Sequence, residues 1–223
     1  MEDLSNWTPR VSPQRIALDG RFVRLEPLIA AAHGDEMYAA ATEGDADARF
    51  RWLFENTPSS RADFQVWLEK VEASADPLYF SVIEKVSGRV AGRQTFMRID
   101  PTYGVAEIGN IHWGPLIQQT PATTEALYLF ARYLFDDLGY RRFEWKCNNK
   151  NEPSKRAALR FGFQYEGLFR KHMIVKGQNR DTAWYAMTDD DWAVAKPAFE
   201  AWLLPSNFDA AGKQIKTLME LRA

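Results

Sequence analysis

The sequence has a single cysteine, Cys147, among 223 residues. That excludes an internal disulfide and any cysteine-rich zinc site. Net charge is scarce as well, since 28 basic against 30 acidic side chains leave −2. The electrostatic footprint of a protein that grips nucleic acid by its phosphates is therefore missing. No apolar run approaches the roughly 18 residues needed to cross a bilayer. The opening Met1-Glu2-Asp3-Leu4-Ser5-Asn6-Trp7 lacks the basic head and apolar stretch of a secretory leader. A cytoplasmic location is expected, with neither membrane nor nucleic acid as a partner. No repeat or low-complexity tract occurs, which removes solenoids and disordered arrays. Gly-x-Ser-x-Gly is absent, and His33, His112 and His172 have no metal-ligand spacing. No metal is expected.

What remains is ordinary globular material. Hydrophobic residues make up 46% and charged residues 26%, enough for one large domain or two small ones with a buried core. The first twenty residues, with Pro9 and Pro13, read as an extended lead-in. Phe22 to Glu26 alternates apolar and polar and predicts a half-buried strand. From Ala30 to about Trp67 the pattern is helical, broken at Gly44-Asp45 and at Asn56 to Ser60. Ser60-Arg61-Ala62-Asp63 predicts a capped helix start.

Three strands should follow, Leu78 to Val86, Arg89 to Arg98 and Val105 to Trp113, joined as an antiparallel meander. Pro121 to Leu138 carries Leu127, Phe130, Leu134 and Leu138 on one helical stripe, ended by Gly139. Arg142 to Asn148 predicts a strand and Glu152 to Phe161 a short helix. Gln164 to Val175 and Asp181 to Thr188 predict a hairpin across Lys176 to Asn179. Asp189 to Leu203 and Phe208 to Leu221 predict terminal helices. The strand–helix–strand step across Pro121 to Leu138 demands a parallel crossover. The expectation is an α/β (α+β) fold: a mixed, mostly antiparallel sheet flanked by helices, with one parallel strand pair.

This order of elements is joined by Glu107-Ile108-Gly109, Asn151-Glu152-Pro153-Ser154, Phe161-Gly162-Phe163, Glu166-Gly167-Leu168-Phe169-Arg170, Arg180-Asp181-Thr182 and Asp191-Trp192. In this order and spacing, the chain resembles the GNAT acyltransferase superfamily, and more narrowly its RimJ/RimL-like branch. The resemblance covers Arg15 to about Leu203. It implies a single acyltransferase domain over 21–203, after the lead-in 1–20 and before a helical extension 204–223. It also implies acetyl transfer from acetyl-CoA, as cosubstrate, to a primary amine such as a protein N-terminus or a small molecule. A longer acyl-CoA donor such as succinyl-CoA, or a non-catalytic acyl-CoA-binding role, are the alternatives on the same fold.

The resemblance locates the site residues. Glu107 would be the general base, since an amine must be neutral to attack a thioester. Alternation puts Val105, Glu107, Gly109 and Ile111 on one face, and His112 on the other. A carboxylate among small apolar neighbours should titrate high. Ser154 would donate to the departing sulfur, because the tyrosine common in the superfamily is replaced here by Ala158. Asn151 would hold the pantetheine amide or cap the short helix. The pantetheine would run along Ile111, His112 and Trp113. The glycine-rich pyrophosphate turn of the superfamily is replaced by Gln118-Gln119-Thr120-Pro121-Ala122-Thr123-Thr124. There Gln118, Gln119, Ala122 and the threonine hydroxyls of Thr120, Thr123 and Thr124 would meet the pyrophosphate at a helix start, although an ordinary Thr/Pro helix start reads the same. Trp52, Phe54 and Trp184 are candidates for an acceptor pocket, and Cys147 for core. Ile215, Leu218 and Leu221 on the last helix form an apolar stripe, from which a homodimer is expected.

Overall fold

The computed structural model describes residues 3–222. Among these residues, eight strands form one sheet in the spatial order β1-β2-β3-β4-β5-β6-β8-β7. They are β1 (Leu18–Asp19), β2 (Val23–Pro27), β3 (Leu78–Glu84), β4 (Val90–Asp100), β5 (Val105–Trp113), β6 (Arg142–Asn148), β7 (Gln164–Val175) and β8 (Gln178–Thr188). Every neighbouring pair is antiparallel except β5 and β6, which run parallel. The crossover between those two is helix α4 (Pro121–Arg132), closed by a π-helical turn over Tyr133–Asp137.

The faces follow from cross-strand pairing, because partners in register point to the same side. Phe80, Phe96, Ile108, Phe143 and Trp145 lie on one face and are buried under α4, α5 (Glu152–Phe161) and α6 (Asp189–Leu203). The other face is covered near β3 and β4 by α1 (Ala30–Thr42), α2 (Ala46–Phe50) and α3 (Arg61–Glu72). Their apolar side chains form a second, smaller core with Leu28, Tyr79 and Val90. Local signals work as expected at α3, where Ser60 Oγ accepts from the Asp63 amide at 3.0 Å, and at α5, which Gly162 ends at φ +101°. The β7–β8 hairpin turns on Lys176-Gly177, two residues rather than four.

The C-terminal expectation fails. After α6 comes a 3₁₀ turn, Pro205–Asn207, and a loop closed by a bridge between Phe208 and Gln214; no helix spans Phe208 to Leu221. Asp209 Oδ1 accepts from the amides of Ala211 and Lys213, each at 2.9 Å, and Gly212 sits at φ +76°. These local bonds offer the backbone an alternative to the helix. Leu218 is fully buried in the chain's own core and Leu221 packs half-buried against it, whereas Ile215 is exposed. The continuous stripe that motivated a second copy does not exist.

Candidate active site

The β5–β6 pairing runs only from Val105↔Arg142 to Ile108↔Trp145, although both strands continue. The cause of the split lies in β5. Its pairing to β4 slips between Thr95↔Gly109 and Arg93↔His112, and Asn110 takes a left-handed φ of +48°. Asparagine tolerates that conformation better than most side chains, and a bulge bends its strand. On β4, Gly92 accommodates the kink: a Cβ there would lie 2.1 Å from the His112 carbonyl oxygen. Between the splayed strands opens a cavity of about 420 Å³, reaching from Glu107 and Lys146 to Ser154 and Gln118.

The bulge also corrects the expected alternation. Met97↔Glu107, Thr95↔Gly109 and Arg93↔His112 are cross-strand pairs, so Glu107, Gly109 and His112 share a face and Ile111 leaves it. His112 lies against Phe50, with ring centroids 4.8 Å apart, and both its ring nitrogens are buried. Burial, then Arg93 and Arg49, hold its pKa well below the usual histidine value. It is a neutral wall of the cavity.

Glu107 is 4% exposed. Its surroundings are not apolar, as the sequence suggests, but cationic. Lys146 Nζ lies 3.0 Å and Arg98 Nε 3.2 Å from Oε2. Burial pushes the Glu107 pKa up, and Lys146 and Arg98 oppose the shift without cancelling it. Lys146 is held in turn by Glu144 and sits 3.9 Å over the Trp184 ring. The sequence contains this partner: in Arg142-Phe143-Glu144-Trp145-Lys146, the charges alternate with aromatics, which puts Glu144 and Lys146 together on the face of Glu107.

On the opposite wall, Trp145 Nε1 donates to Ser154 Oγ at 2.9 Å. That bond occupies an acceptor position and leaves the hydroxyl proton to be given elsewhere. Asn151 caps α5, its Oδ1 accepting the Ser154 amide at 3.2 Å. Of its two expected uses, the helix cap is the one seen. Cys147 is buried as expected, yet also lines the cavity beside Ser154. Ala158 is fully buried and carries no donor.

Ile111, His112, Trp113 and Gln118 all line the cavity. Gln118 Nε2 donates to the Trp113 carbonyl at 3.0 Å, and Trp113 Nε1 to Gln94 at 3.1 Å. Beyond them Gln119 adopts φ +60°, so the turn reaches a left-handed conformation without glycine. Thr120 caps α4 through the Ala122 amide at 3.3 Å. Two of the expected hydroxyl donors are spent on backbone: Thr120 Oγ1 on Ile117 O at 2.8 Å, Thr123 Oγ1 on Thr120 O at 3.1 Å. Thr124 Oγ1 accepts from Arg160 at 3.0 Å and is buried. An anion at this turn would meet helix-start amides rather than threonine hydroxyls.

Trp52 and Phe54, from the segment after α2, line the cavity together with Arg49, the Phe54 ring lying 5.2 Å from the Arg180 guanidinium carbon. Trp184, the third expected acceptor-pocket residue, is not in the lining but lies against Lys146. Arg98 and Lys146, both in contact with Glu107, and Arg180 also line the cavity. None of them was assigned a site role from the sequence, although Arg180 belongs to the Arg180-Asp181-Thr182 motif. Among the described residues, no group of three or more His, Cys, Asp or Glu is placed to hold a metal ion. Nor is any helix among them long and apolar enough to cross a membrane.

Residues 23–164 match the family model of the acetyltransferase (GNAT) domain. A GCN5-related N-acetyltransferase from Brucella melitensis has a crystal structure similar over 98% of this chain and 99% of its own, at 60% identity and TM-score 0.97. A "probable acetyltransferase (GNAT family)" from Chromobacterium violaceum is 34% identical over 86% of this chain and 96% of its own, with TM-score 0.80. The "uncharacterized N-acetyltransferase p20" of Bacillus licheniformis is 32% identical over 118 residues, a stretch that spans 64% of that protein.

Proposed function

The chain belongs to the GNAT acetyltransferase family, and from that premise we propose that it transfers an acetyl group from acetyl-CoA to a primary amine. The observation that carries this reading is the splayed β5–β6 cavity, with a buried carboxylate on one side and a positioned hydroxyl on the other. Acetyl-CoA supplies the activated acyl carbon. Glu107 accepts the proton that the amine sheds, directly or through water, as the new C–N bond forms and the C–S bond breaks. Ser154, fixed by Trp145, gives a hydrogen bond to the departing sulfur. The α4 start with Gln118 and Gln119 receives the pyrophosphate, through amides and the helix dipole. Ile111 and Trp113 flank the pantetheine arm, and the neutral His112 closes the wall behind it.

Within the family, the serine at 154 in place of a tyrosine at 158 supports the RimJ/RimL-like branch. The homodimer belongs to the same proposal and has its support in the edge strand β7, where Tyr165, Phe169 and Ile174 are exposed; a monomeric mass by light scattering at micromolar concentration counts against it. The function is tested by titrating the protein with acetyl-CoA and succinyl-CoA, then following thiol release over a panel of primary amines. Acetyl-CoA binding with amine-dependent thiol release is expected. Binding without release on any amine would leave an acyl-CoA binder.

A further inference from the structure

The Glu107 end of the cavity has more positive than negative charge on its walls. Arg98 and Lys146 contact Glu107, Arg180 is close enough to be stabilised by its charge, and Arg49 lines the same cavity nearer His112. Glu107 is the one carboxylate among the described lining residues. Three of the four cations have partners. Lys146 and Arg98 both contact Glu107. Arg49 donates to the carbonyls of Asp45 and Glu43. Arg180, 8% exposed and lining the cavity, forms no ion pair among the described residues, although the charge of Glu107 acts on it at longer range. Its Nε donates to Thr182 Oγ1 at 3.2 Å, and its guanidinium carbon lies 5.2 Å from the Phe54 ring centroid. The Thr182 hydroxyl, having accepted from Arg180, has its proton for His172 Nδ1 at 3.0 Å. The Arg180 side chain is thus oriented by its neighbours while its terminal nitrogens make no hydrogen bond among the described residues.

A buried guanidinium is costly unless an anion satisfies it. Its planar fork fits a carboxylate or phosphate through two parallel hydrogen bonds. We infer that the acceptor is a primary amine carrying an anionic group, which Arg180 binds while the amine reaches Glu107. This rests on the acetyl-transfer reading and names the acceptor class for it. The surplus of cations has a second consequence in the same direction: it disfavours an ammonium at Glu107, so the amine is delivered neutral once the anion has anchored it.

The test compares each amine with a partner lacking the charge: free amino acids against their amides, and O-phosphoethanolamine against ethanolamine. Thiol release should favour the charged member of at least one pair by about 10-fold or more in kcat/KM, the scale of a charge-assisted hydrogen bond. The amino-acid and phosphate arms separate the two sources of the anion. Arg180→Leu should collapse that preference to within about threefold by raising KM, and Arg180→Lys should restore part of it. Acetyl-CoA affinity, measured by calorimetry, should hold in both variants, which also reports that they fold. Equal rates for charged and neutral members overturn the inference and leave acetyl transfer standing. Loss of acetyl-CoA affinity in Arg180→Leu, with affinity kept in Arg180→Lys, assigns Arg180 to the cosubstrate and overturns it too. No thiol release with any amine overturns the acetyl-transfer reading itself.

Discussion

At Glu107 the ion pairs matter as much as the carboxylate. Lys146 and Arg98 keep a buried acid available in its ionised form, while burial draws its pKa above the ordinary glutamate value. Only the deprotonated form accepts a proton, so activity should fall as pH drops through a value above 4.5. Glu107→Gln removes that limb and leaves only the limb set by the amine. Turnover should fall about 10²-fold with acetyl-CoA affinity kept; parental turnover on a verified acceptor would remove Glu107 from the chemistry. His112 makes a different pH prediction. Its folded pKa lies well below 6.5, so its contribution to stability is present above 6.5 and is lost as pH falls. Denaturant unfolding should show a loss approaching ~1.4 kcal/mol per pH unit below that point. His112→Phe should flatten this slope, and an unchanged slope would mean that other groups set it. Among the residues lining the cavity, Glu107, Ile111, His112, Trp113, Gln118, Asn151 and Ser154 were readable as candidates in the sequence. Arg49, Arg98 and Lys146 were not, nor was the sharing of one face by Glu107 and His112. Alternation put His112 opposite Glu107, and one extra residue at Asn110 reversed that.

Among the elements, those with strong local punctuation were the readable ones. Ser60 starts α3, Asn151 starts α5 and Gly162 ends it, and each does so through a bond that a short sequence window contains. The tail after Leu203 had apolar residues at helical spacing but also Asp209 and Gly212, whose local bonding competes with a helix; spacing alone gave the wrong element. The α4 start lies between these cases. Its cap was legible, and its left-handed Gln119 was not, because that φ is normally glycine's. A test of this element uses an exposed side chain. Gln119→Glu places a negative charge just before the helix N-terminus, where the dipole makes it neutral or favourable for stability. The same charge repels a pyrophosphate. Acetyl-CoA affinity should therefore fall about tenfold, more at low salt, with the unfolding midpoint unchanged. Undiminished affinity in calorimetry would put the pyrophosphate elsewhere.

Across the whole molecule, the sheet separates two cores, and the cavity opens where the smaller one stops covering its face. One ion pair ties that smaller core to the cavity roof. Arg93 on β4 is completely buried, stacks 4.6 Å from the Trp67 ring, and is paired with Glu55 in the segment that carries Trp52 and Phe54. A second tie comes from the β7–β8 turn, whose Lys176 Nζ donates to the Phe50 carbonyl at 2.9 Å. Neither was visible in the sequence, since both join residues at least 38 positions apart. Burial alone pushes the Arg93 pKa down to about 9, so near neutral pH it is still a cation that needs its partner. Glu55→Gln strands that charge and should cost about 3 kcal/mol in denaturant unfolding. Because Glu55 also anchors the roof, the acceptor KM should rise severalfold while acetyl-CoA affinity is kept. Adding Arg93→Met removes the stranded charge and should return most of the stability. It cannot return the anchor, so the KM should stay high in the double variant. If KM instead recovers together with stability, the roof responds only to global destabilisation; if stability recovers and KM stays high, the buried pair is what holds Trp52 and Phe54 at the cavity.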